Sequence, residues 1–166
     1  MGVGVGRYEV SGLEFEKLND RTDWPFRVVS RYSYLWKRRP DVELGLPGNQ
    51  PRVTIEAQNG RTVAEVTGAG AVLLPGFAWN GSTGAKGTMF CTRASALHDV
   101  WCQAMRKRLY RKSYRNWWRG ASEYRRACID DGMNKLVAWR RHLGLCCSYP
   151  FFDRHSRQRS RQILAK

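Results

Sequence analysis

The stretch that decides the fold of the N-terminal half is VTIEAQNGRTVAEV, residues 53–66. Apolar and strand-forming side chains alternate with polar ones on both sides of Asn59-Gly60, which is the pattern of two half-buried β-strands. An Asn-Gly pair supplies the two positive φ angles that a two-residue type I′ turn requires. The sequence therefore predicts a β-hairpin with its turn at Asn59-Gly60.

The rest of the first ninety residues also predicts β structure. Apolar residues alternate from Tyr8 to Phe15 around Ser11-Gly12, which we interpret as one bulged strand. Residues 26–36 form a β-branched and aromatic run that predicts a long strand. Residues 71–74 are a short apolar run, and we expect this buried strand to end at Pro75, whose nitrogen has no hydrogen to donate.

From residue 92 onward the apolar period becomes helical. The first predicted helix has Thr92 as its N-cap and inward-facing apolar residues at positions 94, 97, 101, 104 and 105. A second helical stretch covers residues 113–143, with interruptions expected at Gly120 and Gly132 and a stop at Gly144. Its apolar side contains Trp117, Ala121, Tyr124, Cys128, Leu136, Trp139 and Leu143.

These elements predict an α+β fold, in which an antiparallel, β-rich N-terminal half packs against two or three C-terminal helices. A chain of 166 residues is long enough to bury a hydrophobic core of its own. We expect one domain over residues 1–145, β-rich in 1–90 and helical in 91–145. A basic C-terminal extension over residues 146–166 follows it.

Positive charge is concentrated in the helical half of the chain. The formal net charge is +15. Residues 1–90 carry 11 Lys/Arg and 9 Asp/Glu, whereas residues 91–166 carry 18 and 5. A field of this sign attracts polyanions, which include nucleic acid, anionic lipid and acidic protein surfaces, and charge alone does not choose among them.

Cations and aromatic rings interleave in residues 106–119, RKRLYRKSYRNWWR. Such a surface can stack bases and neutralise phosphates, lie at lipid headgroups, or bury its rings in a protein partner. The alternative is a solvated linker with Trp117 turned into the core. No signature of sequence-specific recognition of nucleic acid accompanies the cluster. The predicted partner-binding or polyanion-binding residues are Arg106, Lys107, Arg108, Arg111, Lys112, Arg115, Trp117, Trp118 and Arg119, and in the extension Arg154, Arg157, Arg159 and Arg161.

The cysteines and the apolar runs indicate the cellular setting of the protein. Five cysteines without C-x-x-C spacing favour reduced, mostly buried thiols over a zinc site or a complete disulfide framework. A bridge between Cys102 and Cys128 is an alternative if their helices pack antiparallel. The N-terminal residues lack the pattern of a signal peptide, and no apolar run approaches the roughly 18 residues of a membrane span. We therefore expect cytoplasmic synthesis and no transmembrane segment.

One element has the residue types that catalysis needs. His98 and Asp99 are adjacent on the first predicted helix, some residues after a Gly-rich loop over 75–84. Adjacent side chains on a helix point about 100° apart, so the two would serve different partners. The structural alternative places His98 in the core and pairs Asp99 with Arg93 or Arg106.

The pair resembles the His-Asp helix of phospholipase A2 proteins. In those proteins the histidine is a general base that acts on water, the aspartate and loop carbonyls bind calcium, and a second aspartate on an antiparallel helix orients the histidine. The resemblance implies a calcium-dependent lipid esterase with His98 as base, and with Asp99 and Asn80 as metal ligands. Glu123 and Asp130 on the second helical stretch are the candidate orienting carboxylates.

A second resemblance covers residues 72–133. Pro75-Gly76-Phe77, Asn80-Gly81-Ser82 and the stretch from Ala94 to Asp99 are similar to the Pro-x-Gly-Phe, Asp-Gly-x-Ser and Ala-x-x-x-His-Asp motifs of a family of small uncharacterised proteins of tailed bacteriophages and prophages. That family also has a distal Ala-Asp-x-x-Phe segment and a methionine. Counting back from Met133 places Arg126 where the family has its distal aspartate, whereas aligning Asp130 there would need a shift in register. Asn80 likewise stands where the family often has an acidic residue.

Three functions follow from these observations. The preferred one is a bacteriophage virion-associated or assembly protein that docks through its basic, aromatic C-terminal half on an acidic partner protein or on packaged DNA. The resemblance to phage proteins implies other phage structural proteins as partners, a multi-copy assembly, and a location in the host cytoplasm and then in the virion. The alternatives are the calcium-dependent hydrolase and a nonspecific nucleic-acid-binding module, and contact with a membrane surface is also open. The first function needs no cofactor, and it is preferred because Arg126 would deprive the histidine of an orienting anion.

Overall fold

The computed structural model describes residues 6–17, 26–42, 51–79 and 89–149. Within these residues the strands are β1 (Gly6–Val10), β2 (Leu13–Lys17), β3 (Phe26–Val28), β4 (Tyr32–Leu35), β5 (Arg52–Glu56), β6 (Thr62–Thr67), β7 (Gly70–Leu73) and β8 (Ala78–Trp79). A 3-10 turn over Met89–Cys91 then leads into the helices α1 (Thr92–Arg106), α2 (Tyr114–Asp130) and α3 (Lys135–Cys147). The predicted α+β class, with β structure first and helices after it, is confirmed.

The strands form two antiparallel four-stranded sheets that share one core. The strand order is β1-β2-β3-β8 in the first sheet and β4-β7-β6-β5 in the second. Residues 26–36, predicted as a single strand, contribute to both sheets, since β3 pairs with β2 and β4 pairs with β7. That prediction is wrong because the chain changes sheets between Val28 and Tyr32, which places both of these side chains in the shared core.

The hairpin of β5 and β6 is confirmed at its predicted position, but its turn differs. The Ala57 amide donates to the Arg61 carbonyl over 2.9 Å, which leaves a three-residue loop over residues 58–60. The Gly60 amide donates to the Ala57 carbonyl over 3.0 Å. Within this loop only Gly60 is left-handed, with a φ of 76°. This is a type I turn followed by a left-handed glycine, the usual three-residue hairpin loop.

A two-residue turn with both residues left-handed is found at Ser11-Gly12. Their φ angles are 48° and 80°, and Val10 pairs with Leu13 directly across the turn. The predicted bulged strand is therefore wrong, because β1 and β2 are the two arms of a hairpin. Apolar alternation continues through a two-residue turn, so the pattern did not separate a bulge from a hairpin.

Glycines have three different roles in the helices. Gly132, with a φ of 95°, lies between α2 and α3 as predicted. Gly120 lies inside α2 and does not interrupt it. Its role is to make room for a neighbour, because a Cβ at this position would stand 2.7 Å from the Trp101 ring of α1. Gly144 does not stop the last helix, since α3 continues to Cys147, beyond the predicted domain boundary at residue 145.

Helix α1 is the central element of the core. It begins at Thr92 with Cys91, rather than Thr92, as its N-cap, because the preceding 3-10 turn already curves the chain. The five predicted inward positions, 94, 97, 101, 104 and 105, are all buried. Helix α2 packs on α1, and α3 packs on α2.

Helix α3 buries a different face from the one predicted. The apolar residues of α2 are buried as expected; they are Trp117, Ala121, Tyr124 and Cys128. On α3 the buried side chains are Ala138, His142 and Cys146. The predicted core residues Leu136, Trp139 and Leu143 are exposed. The prediction is wrong for these three because the break at Gly132 resets the helical phase between α2 and α3.

Candidate functional site

His98 lies on α1 in an aromatic environment provided by α2. Its imidazole packs edge-on against Trp117 and Tyr124, with ring centroids 5.3 and 6.0 Å away. The Cys102 sulfur, one turn further along α1, is 3.7 Å from Nδ1. Burial lowers the pKa of His98 to about 4, and the positive charge of Arg106 adds to this effect. The imidazole is therefore neutral and weakly basic at neutral pH.

The carboxylates predicted to orient His98 have other partners. Glu123 is buried and accepts hydrogen bonds from three donors. They are the Arg38 backbone N–H (2.9 Å), the Tyr34 hydroxyl (3.1 Å) and the Arg126 guanidinium (2.8 Å). Asp130 is on the surface, 4.0 Å from Arg126. Among the residues that the structure describes, neither carboxylate hydrogen-bonds to His98.

The Tyr34 contact shows how Glu123 serves the fold. Burial raises the pKa of Tyr34 to about 12, so its hydroxyl stays protonated and can donate to the carboxylate. Tyr34 is on β4 and Arg38 follows that strand, whereas Glu123 is on α2. Glu123 therefore joins the helical layer to the second sheet.

The carboxylate that α2 brings to α1 is Asp131. Its Oδ1 is 2.8 Å from Nη2 of Arg93, and its Oδ2 accepts from Nε of Arg93 over 3.1 Å. Ser11 donates to the same carboxylate over 2.6 Å, and Arg93 donates to the Tyr32 hydroxyl over 3.1 Å. Burial by itself would lower the pKa of Arg93, but the hydrogen bonds with Asp131 and Tyr32 outweigh it and raise that pKa. Sequence reasoning missed this network, which joins both sheets to α1 and to the C-terminal end of α2.

The predicted calcium site is only partly within the described chain. Asp99 is half-buried on α1, whereas Asn80 lies outside the described residues. Over residues 6–17, 26–42, 51–79 and 89–149, no group of three His, Cys, Asp or Glu side chains could hold a metal ion. Calcium binding by Asp99 and Asn80 stays a prediction.

None of the five cysteines is in a disulfide, so the alternative bridge between Cys102 and Cys128 is not formed. Burial raises the pKa of Cys128 to about 12 and that of Cys146 to about 11. Nucleophilic chemistry needs the thiolate. These two thiols therefore act as small buried side chains.

The connection between α1 and α2, residues 107–113, is the basic loop. Its centre is anchored in the core, since Leu109 and Tyr110 are both completely buried. The Tyr110 hydroxyl donates to the Thr67 carbonyl over 2.6 Å and accepts from the Trp36 indole over 2.7 Å. The loop backbone is thus held by the second sheet.

The cations of this connection point into solvent. Lys107, Arg108, Arg111 and Lys112 are exposed, as is Arg115 in the first turn of α2, and Arg106 is half-buried. Asn116 holds the exit from the loop. Its buried side chain accepts from the Asp41 amide (2.8 Å) and donates to the carbonyls of Asp41 (2.8 Å) and Arg111 (2.9 Å). A backbone held by the fold therefore presents exposed positive charges.

The rings predicted to interleave with these cations have partners inside the fold. Trp117 is buried, and its indole donates to the Leu145 carbonyl over 2.7 Å. Trp117 is therefore turned into the core, as the alternative interpretation of this segment expected. Trp118 is half-buried with its ring 4.6 Å from that of His142. Arg119 is 2.6 Å from the carboxylate of Asp41. The remaining predicted residues, Arg154, Arg157, Arg159 and Arg161, lie outside the described residues.

No helix in the described part of the chain has the length and apolarity to cross a bilayer. No known protein family matches the chain, and neither a curated protein nor a solved structure matches it. Function is therefore inferred from the surface and its chemistry.

Proposed function

We propose that this protein is a bacteriophage virion-associated or assembly protein that docks on an acidic partner through its basic C-terminal half. The observation that supports docking is the basic loop, whose cations are exposed while Leu109 and Tyr110 anchor it in the core. The phage setting of the proposal rests on the motifs of residues 72–133 that resemble those of phage proteins. The partner is an acidic structural protein or the packaged DNA.

A pre-ordered basic loop is suited to this role for two reasons. Ordering a loop upon binding costs conformational entropy, and here the hydrogen bonds of Tyr110 and Asn116 already hold the backbone. Exposed cations steer a negatively charged partner and raise its association rate, an effect that salt weakens.

The geometry around His98 favours docking over hydrolysis. A general base works best when its pKa is near the working pH, whereas burial lowers the pKa of His98 to about 4. Its ring packs against Trp117 and Tyr124. In this proposal His98 contributes to the packing of α1 on α2.

The first test asks whether the chain is part of a particle. Gradient-purified particles of the phage that encodes the chain are analysed by quantitative mass spectrometry. We expect the same number of copies of the chain, greater than one, in each particle. Absence from both the particles and their assembly intermediates would refute the proposal.

The second test reverses the charge of the basic loop. The loop variant is Lys107→Glu/Arg108→Glu/Arg111→Glu. Its matched control is Arg7→Glu/Arg31→Glu/Arg61→Glu, which makes the same change in net charge at exposed positions of the β-rich half. We expect the loop variant to lose incorporation into particles by about tenfold or more, and the control to retain it. Equal incorporation of both variants would count against the basic loop as the docking surface.

The same variants distinguish a protein partner from DNA. If about five cations contact phosphates, the logarithm of DNA affinity should fall against the logarithm of salt with a slope of about −4 to −5. Binding to a short DNA duplex is measured between 50 and 200 mM salt. A slope of this size that disappears in the loop variant assigns packaged DNA, whereas weak binding with a shallow slope assigns an acidic protein.

A further inference from the structure

An exposed apolar strip lies on the outer face of α3. Leu136, Trp139 and Leu143 are 71%, 44% and 50% exposed. Their spacing of three and four residues places them on one side of the helix. The adjoining side packs on α2 through Ala138, His142 and Cys146. Neighbouring exposed apolar side chains of this size are characteristic of interaction surfaces.

Contacts within the fold hold the central residue of the strip. The guanidinium carbon of Arg125 is 3.7 Å from the centre of the Trp139 ring. The centroid of the His142 ring lies 5.2 Å from that of the Trp139 ring, at an interplanar angle of 90°. Among the described residues Nε and Nη1 of Arg125 find no hydrogen-bond acceptor. Trp139 is thus positioned before any partner binds, with the Arg125 guanidinium beside its ring.

The edges of the strip are basic. Helix α3 has the sequence KLVAWRRHLGLCC, which contains three cations and no Asp or Glu. Of these cations, Lys135 and Arg140 are exposed. A second copy of the chain would bring like charges together across the contact, which opposes association. A partner with carboxylates at the edges of an apolar surface would bring opposite charges together.

We propose that this strip is the docking site for an amphipathic helix of a partner protein, with Asp and Glu residues flanking the apolar side of that helix. Apolar residues of the partner helix pack on Leu136, Trp139 and Leu143, and its carboxylates lie near Arg125 and Arg140. This inference rests on the proposed function and names the class of partner. The basic loop accelerates the approach of an acidic partner, and the apolar strip slows its release.

The test uses the full-length protein and two fluorescein-labelled amphipathic peptides. Both carry leucines at helical spacing; the first has glutamates at the flanking positions and the second has lysines. We expect the Glu peptide to bind at least about tenfold more tightly than the Lys peptide in fluorescence anisotropy. Leu136→Gln/Leu143→Gln should weaken binding of the Glu peptide at least about tenfold. The matched control Val137→Gln, exposed on α3 but outside the strip, should change binding less than about twofold.

Folding of these variants is checked by urea unfolding, and matching midpoints are expected because the substituted side chains are exposed. Equal binding of the Glu peptide to wild-type and Leu136→Gln/Leu143→Gln protein overturns the proposal. Equal binding of the Glu and Lys peptides also overturns it. A photoreactive group at position 136 identifies the occupant: a crosslink to the Glu peptide supports the proposal, and a crosslink to a second copy or to the chain's own residues overturns it.

The particle experiments separate this inference from the proposed function. If the loop variant is lost from particles while Leu136→Gln/Leu143→Gln is retained and binds the Glu peptide normally, the strip is not the docking site and the proposed function stands. If the chain is absent from particles although the strip binds the Glu peptide selectively, the proposed phage function fails and the α3 site stands.

Discussion

The buried ion pair of Arg93 and Asp131 can be tested quantitatively. Asp131→Asn keeps the size of the side chain but removes the negative charge beside an arginine that is 5% exposed. Removing one partner of a buried pair costs about 3–5 kcal/mol, because the other charge stays buried without compensation. Arg93 retains hydrogen bonds to the Tyr32 hydroxyl (3.1 Å) and the Ala127 carbonyl (3.2 Å). We therefore expect the lower end of that range, about 3 kcal/mol of lost stability.

The assay is urea unfolding at pH 7, followed by far-UV circular dichroism. With an m-value of about 2 kcal/mol per molar urea, a loss of about 3 kcal/mol lowers the midpoint by about 1.5 M. Arg52→Gln is the matched control, since Arg52 is 3.4 Å from Glu65 and the two side chains are 60% and 36% exposed. Exposed pairs contribute about 0–1 kcal/mol, so this midpoint should move by less than about 0.5 M.

A loss below about 1 kcal/mol for Asp131→Asn would refute the reasoning, since it would show that Arg93 needs no counter-charge. The double variant Arg93→Met/Asp131→Leu removes both charges together. Because no buried charge is left unpaired, we expect it to lose less stability than the two single variants, Arg93→Met and Asp131→Leu, lose together. Strict additivity would show that the two residues are not coupled.

Two further predictions concern helix packing and pH. Gly120→Ala should destabilise by about 1–2 kcal/mol, because a Cβ would stand 2.7 Å from the buried Trp101 ring and overpacking outweighs the gain in helix propensity. A Cβ at Gly144 would have nothing within 4 Å, so Gly144→Ala should stabilise the protein by up to about 1 kcal/mol. Thermal unfolding measures both variants. A stabilised Gly120→Ala protein would contradict the packing argument. Burial lowers the pKa of His98 from 6.5 to about 4 in the folded protein. As the pH falls, the unfolded chain therefore binds a proton at this residue before the folded protein does. The free energy of unfolding should decline between pH 6.5 and pH 4 by up to roughly 3 kcal/mol. Urea midpoints are measured from pH 7 to pH 4 for the wild type and for His98→Gln, and the midpoint of the variant should fall less than that of the wild type. Parallel pH profiles of the two proteins would contradict a contribution from His98.

The candidate site shows how little separates a catalytic arrangement from a structural one. Asp130 and Asp131 are adjacent at the end of α2, yet Asp131 is buried against Arg93 and Asp130 is on the surface. Their residue types are identical, so no sequence pattern distinguishes them. The distinction depends on how α2 packs on α1, and Gly120 allows the Trp101 ring to lie close to the α2 backbone.

Patterns within single elements were sufficient for much of this fold. Alternation and Asn59-Gly60 located a hairpin, the helical period located the buried face of α1, and residue counts placed the excess of cations in the helical half. These features follow from backbone geometry over a few neighbouring residues, which composition and spacing record directly. Relations between elements required three-dimensional packing. The division of residues 26–36 between two sheets, the outward apolar strip of α3 and the partner of each carboxylate arise from contacts across turns and between distant segments, and no local period carries that information.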